Sequence, residues 1–129
     1  MKKTLFFFIA ALIISLTANT QTITLTSPNG GESWPGCTQK SITWTASGTS
    51  NYYSIDYSTN GGTNWTSIAS YYNTSSGTYS WTVPNVSSTN CIVRVYDANN
   101  PNVSDVSNAV FTVIGPLILT SPNGGEIWQ

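Results

Sequence analysis

An antiparallel β-sandwich of about seven strands is the fold the sequence predicts, and three observations predict it. Its regular segments alternate apolar and polar residues with period two, as strands buried on one face do. Turns rich in glycine, asparagine and proline separate those segments at intervals of roughly 8–12 residues. After the first 20 residues, no segment carries the periodicity of an amphipathic helix.

The strands follow in order. QTITLTS (Gln21 to Ser27) opens the series, and KSITWTAS (Lys40 to Ser47) sets Ile42 and Trp44 on one face against Ser41, Thr43 and Thr45 on the other. NYYSIDYS (Asn51 to Ser58) aligns Tyr53, Ile55 and Tyr57. Gly61 and Gly62 then supply the positive φ of a turn into a shorter strand, Asn64 to Ser70. GTYSWTVP places Tyr79, Trp81 and Val83 on one face before Pro84 ends the pairing. CIVRVYD (Cys91 to Asp97) and NAVFTVI (Asn108 to Ile114) complete the set. This number and spacing of strands suit the immunoglobulin or fibronectin type. The expected core is Ile42, Trp44, Ile55, Trp81, Val83, Val93, Val95 and Phe111.

Taken together, TSPNGGESW, SITWTASG, IDYSTNGGTNWTSIA, GTYSWTVPNV, CIVRVYD and SDVSNAVFTV resemble a known domain pattern. The order is similar to the N-terminal domain of the yeast cell-wall β-1,6-glucan synthesis proteins. It is closer still to bacterial copies of that domain in large secreted proteins, notably of Bacteroidetes. The likeness covers Ile23 to Ile114, and the pairing of ITW with YSWTVP carries most of it. It implies an immunoglobulin-like sandwich found in arrays on secreted or surface-attached proteins. That pattern contains no catalytic residue and no cofactor, so none carries over.

The chain begins as an exported protein does. Lys2 and Lys3 precede the apolar run Leu5 to Leu16, and small or polar residues follow at Thr17 to Thr20. Such a run is a signal-peptide core, too short for the about 20 residues of a membrane span. The expected organisation is a signal peptide over 1–20, a sandwich over 21–115, and over 116–129 a linker with the truncated start of a second copy. The implied location is secreted or cell-surface, and the implied partners are neighbouring domains of a longer chain. After the signal, Lys40 and Arg94 face five acidic side chains, a net charge of −3. Two scattered cations make no phosphate-binding surface, so nucleic acid is not an expected partner.

Histidine is absent, which excludes Ser–His and Cys–His nucleophiles. Nothing in the sequence brings two carboxylates together, so no catalytic residue is assigned. Cys37 and Cys91 are an even pair in the exported portion, expected at strand starts at one end of opposite sheets. That predicts a disulfide, with two free buried thiols as the alternative. Tyr52, Tyr71 and Tyr72 fall where side chains should face solvent or lie in a loop, and exposed aromatic faces stack on sugar rings. They are the candidate polysaccharide site, although tyrosine is also ordinary on the outer faces of sheets. Asp97, Asn99, Asn100 and Asp105 in DANNPNVSD are oxygen-rich enough to suggest a weak calcium loop, or a solvated turn. Ser58 to Trp65 resembles the Asp-box hairpin of sialidase-type propellers, Ser-x-Asp-x-Gly-x-Thr-Trp, with Asn60 in place of the acid and Asn64 in place of the threonine. In propellers that hairpin is structural, so Trp65 is expected to pack back on the core.

One stretch occurs twice. LTSPNGGE stands at Leu25 to Glu32 and again, letter for letter, at Leu119 to Glu126, with Trp34 matched by Trp128. The offset of 94 residues exceeds the roughly 20–50 of solenoid repeats and equals one whole sandwich. Each copy is therefore expected to open a domain, with Leu-Thr ending a first strand and Asn-Gly-Gly making the turn.

Overall fold

Alternation along KSITWTAS and CIVRVYD forces one face of each segment inward, and two sheets closing on those faces satisfy both. The computed structural model describes residues 20–116 and contains nine β-strands. They are β1 (Thr22–Ser27), β2 (Ser33–Pro35), β3 (Gln39–Ser47), β4 (Tyr52–Ser58), β5 (Thr66–Asn73), β6 (Thr78–Thr82), β7 (Ser88–Asp97), β8 (Asn100–Val106) and β9 (Phe111–Ile114). No helix occurs among the described residues, and hence none long and apolar enough to cross a membrane. The expected signal peptide and the second LTSPNGGE copy lie outside the described residues.

One sheet has the order β1-β3-β6 and the other β2-β9-β7-β4-β5, with β8 also on β7. The pairings are antiparallel except for β2 against β9. β9 pairs with the first half of β7 and β8 with the second, so β8 and β9 are one strand interrupted between Ser107 and Val110. β1 and β2 are likewise one strand that changes sheets midway. The nine segments thus amount to seven strands of an immunoglobulin-like sandwich, the fold class predicted.

All eight expected core residues are buried, joined by Leu25, Trp34, Tyr53, Cys91 and Val113. Trp34 lies against Phe111 at 5.3 Å and Trp81 at 6.2 Å between ring centroids, and Tyr57 lies 5.2 Å from Trp81. Tilted arrangements of this kind suit the ring quadrupoles and add about 0.5–1.5 kcal/mol per pair beyond area burial.

Three expectations are corrected. DANNPNVSD is not one loop: Asn100–Val106 is a strand, with Pro101 tolerated because β8 is an edge. The strand after the Ser58 turn runs to Asn73 and contains both Tyr71 and Tyr72. Finally, Cys37 and Cys91 are free thiols, and the expected bridge is not formed. Cys37 sits in the β2–β3 turn at φ 59° with its side chain exposed, and its N–H donates to the Val83 carbonyl at 2.9 Å. Cys91 instead points into the core of β7 and is 1% exposed. The turn thus aims one sulfur at solvent while the strand aims the other inward. A thiol reagent should modify Cys37 in the folded protein and Cys91 only after unfolding; quantitative labelling in buffer and in denaturant measures this directly.

Candidate functional site

The repeated motif resolves into a hinge. After Ser27 the chain must leave the β3 edge of one sheet and reach the β9 edge of the other. Glu32 makes the crossing self-contained, because its carboxylate accepts the N–H of Asn29 at 2.7 Å and of Gly30 at 2.8 Å. The interruption in the last strand receives the hinge. Asn108 N–H donates to Asn29 Oδ1 at 2.8 Å, Ser107 Oγ donates to the Pro28 carbonyl at 2.8 Å, and Gly31 N–H donates to the Val110 carbonyl at 3.0 Å. Gly30, at φ 125°, packs so closely that a Cβ there would lie 2.6 Å from Ala109 Cβ. Every residue of PNGGE is therefore used in the hinge, as a hydrogen-bond partner, a point of close approach or a carboxylate cap.

The other carboxylates are likewise committed within the fold. Asp56, on the outward side of β4 yet only 5% exposed, receives Arg94 Nε at 2.9 Å and Nη2 at 2.7 Å. Arg94 in turn lies over the Trp65 ring at 4.3 Å and near Tyr96 at 5.6 Å. Trp65 thus packs on the outer face of the sheet under a guanidinium, not on the core as expected. Asp97 is fully buried; its Oδ2 accepts Ser50 N–H at 2.8 Å and its Oδ1 accepts Ser50 Oγ at 2.6 Å and Asn99 N–H at 2.9 Å. Burial pushes its pKa up, but hydrogen bonds from the Ser50 hydroxyl and from the Ser50, Asn99 and Asn100 amides outweigh that and hold it below the usual value. Asp105 reaches from β8 to the edge of β1, where its Oδ2 accepts Leu25 N–H at 2.7 Å.

The expected calcium ligands are not brought together. Asp97 and Asp105 serve different assemblies, and Asn100 Nδ2 donates to Gln21 Oε1 at 2.6 Å. Among the described residues, no group of three or more His, Cys, Asp or Glu side chains is placed to hold a metal ion.

Two of the three candidate sugar-stacking tyrosines meet. Tyr52 and Tyr71 are 39% and 63% exposed, with ring centroids 6.4 Å apart. Tyr72 is not part of that surface: it is half-buried against Tyr79 in an edge contact at 4.9 Å. Adjacent strand residues face opposite ways, so Tyr71 and Tyr72 could not both point outward. The register slips between Tyr53 and Ile55 relative to β5, and Tyr71 adopts φ 51° there. That bulge, invisible in the alternation, is what puts Tyr71 beside Tyr52.

The Asp-box-like turn holds itself together. Ser58 Oγ, almost fully buried, donates to Asn60 Oδ1 at 2.8 Å and accepts from Gly62 N–H at 2.9 Å, while Asn60 Oδ1 also accepts from Asn64 N–H at 2.9 Å. The Asn60 amide oxygen is thus the acceptor that closes the turn. Asn60→Ala should cost about 1–2 kcal/mol by removing both bonds, read from the shift in urea midpoint.

Sequence reasoning missed the polar cleft between the β3–β4 and β5–β6 connections, which Trp44, Asn51, Tyr53, Ser75 and Ser76 line. Its parts are far apart in the chain and share no motif. Comparison with protein-family models, curated proteins and solved structures gives no match for this chain.

Proposed function

We propose that this chain is a non-catalytic spacer or adhesion module of an exported, secreted or cell-surface protein, built to stand end to end with further copies of itself. One observation carries the reading: the chain enters and leaves the sandwich at opposite poles. Gln21 is tied to the β3–β4 connection through Gly48 O at 3.0 Å and to Asn100 at 2.6 Å, at the pole where β7 turns into β8. Ile114 leaves at the other pole, where its carbonyl accepts Gly36 N–H at 2.8 Å in the β2–β3 turn. A domain threaded in this way extends an array by its full length with every copy. The recurrence of the hinge motif 94 residues on, and the resemblance to domains of secreted bacterial proteins, support the same reading. So does the engagement of Glu32, Asp56, Asp97 and Asp105 in separate structural bonds.

Small-angle scattering on a chain carrying two complete copies tests the proposal. An end-to-end module gives a maximum dimension close to twice that of one copy. A value near that of one copy would mean side-by-side packing and would refute it.

A second reading, polysaccharide binding, is favoured by the exposed Tyr52–Tyr71 pair on a positive-φ bulge, a conformation that costs about 1–3 kcal/mol. Tyr71→Ala should then weaken retention on an immobilised polysaccharide by roughly tenfold, about 1.4 kcal/mol. Equal migration of wild type and variant in affinity electrophoresis, on every polysaccharide tested, would dismiss it.

A further inference from the structure

We infer, on the end-to-end reading above, that consecutive copies of the domain meet in a fixed pole-to-pole interface. The β2–β3 and β6–β7 turns of one copy pack on the β3–β4 and β7–β8 turns of the next. The spacing of the repeat requires it. At the offset of 94 residues Pro116 takes the place of Thr22, the first residue of β1, while β9 ends at Ile114. The register is that of a true first strand, because the buried Ile23, Leu25, Pro28 and Trp34 recur as Leu117, Leu119, Pro122 and Trp128. Gly115 alone therefore separates the last strand of one copy from the first strand of the next. Two peptide units span at most about 7 Å. That is less than the about 10 Å by which two packed sheets stand apart, so the side chains that crown the two poles must touch.

The preceding copy also grips the start of the linker. Gly36 N–H donates to the Ile114 carbonyl at 2.8 Å. A Cβ on Gly36 would lie 3.1 Å from the Pro84 carbonyl oxygen, and one on Gly115 would lie 3.3 Å from both Ser87 Cβ and the Val86 carbonyl oxygen. Gly115 is thus pressed against the β6–β7 turn, and Pro116 locks its own φ near about −65°. Little backbone freedom remains for one copy to swing against the other.

The two poles suit each other. Pro35, Cys37, Asn85, Val86, Ser87 and Ile114 crown the exit pole, with Ile114 51% exposed and no Asp, Glu, Lys or Arg among them. The entry pole presents Gln21, Gly48, Asn51 and Asn99, and Asp97 beneath them is buried within its own hydrogen bonds. Contact therefore takes apolar surface out of water and desolvates no unpaired ion. In this copy Gln21 engages the Gly48 carbonyl and the Asn100 amide. In the next copy Gly115 stands in Gln21's place. The corresponding carbonyl and amide are then left for the exposed Asn85 and Ser87 of the copy before.

Thiol labelling of a two-copy protein, residues 21–129 continued by residues 36–116, tests the interface. Cys37 of the first copy then lies at the joint and Cys37 of the second stays open, so Cys37→Ser in either copy isolates the rate of the other. The first-copy thiol should react about tenfold more slowly than the second, as a group exposed only when the joint opens does. Gly-Ser-Gly-Ser inserted between Gly115 and Pro116 should restore the first-copy rate and leave the second unchanged. Cys91, buried in each copy, should stay unreactive throughout, which reports that both copies are folded. Equal rates at the two Cys37 thiols without the insertion would overturn the interface, as would first-copy protection that survives the insertion. Small-angle scattering on the same protein separates this failure from that of the end-to-end reading. Equal rates with a maximum dimension near twice that of one copy would sink the interface alone. A dimension near that of one copy would sink both.

Discussion

Gly30→Val should destabilise the domain by about 3–5 kcal/mol, enough to unfold much of a small sandwich whose whole stability is about 5–15 kcal/mol. Two costs add. A φ of 125° is open to glycine and strained for any other residue, which accounts for about 1–3 kcal/mol. The new Cβ would also lie 2.6 Å from Ala109 Cβ and 3.1 Å from Ala109 Cα, an overpacking term of about 1–3 kcal/mol. Gly31→Ala is the internal control. Its φ of 82° is also left-handed, but a Cβ there meets nothing within 4 Å. It should therefore cost only about 1–2 kcal/mol. Chemical denaturation of both variants separates the close approach from the backbone angle, and equal losses would argue against a packed hinge.

Asp97→Ala should cost about 3 kcal/mol, because it leaves the Ser50 N–H, the Ser50 hydroxyl and the Asn99 N–H without their acceptor. The pH dependence has a definite sign. The folded-state pKa lies below the ordinary value of 3.8, so below that value the unfolded chain holds more protons than the folded one. The stabilisation is fully present above the ordinary value and is lost as pH falls through the lower folded value. Wild type should accordingly lose stability as the pH falls below the ordinary aspartate value. Asp97→Asn, with no proton to take up, should lack that share of the loss. Urea midpoints for both proteins across that range give the comparison.

What the sequence made legible follows from what alternation encodes. Period two reads which face of a strand is buried, and it placed Ile42, Trp44, Ile55, Trp81, Val83, Val93, Val95 and Phe111 in the core. It says nothing of bulges. The slip between Tyr53 and Ile55 turned Tyr72 inward and left Tyr71 out. Nor does it register short or asparagine-rich strands, so β2 and β8 were invisible until their partners β9 and β7 were in place. The cysteines show a further limit. Their places near strand starts were read correctly, but the positive-φ turn that exposes Cys37 is a backbone property without a clear residue signal. LTSPNGGE was the reverse case, since its repetition singled out the segment before any contact of Glu32 or Gly30 was known.

A module that lengthens an array must hold its two chain ends apart, and one distance measures that. Spin labels at Gln21 and Ile114, in a Cys37→Ser background, report the separation by pulsed dipolar spectroscopy. The nine residues of β3 run from one pole to the other, and at about 3.3 Å per residue they set the expected separation near 30 Å. A narrow distribution centred there supports an end-to-end spacer. A distance of about 15 Å or less would place both ends at one pole and contradict it.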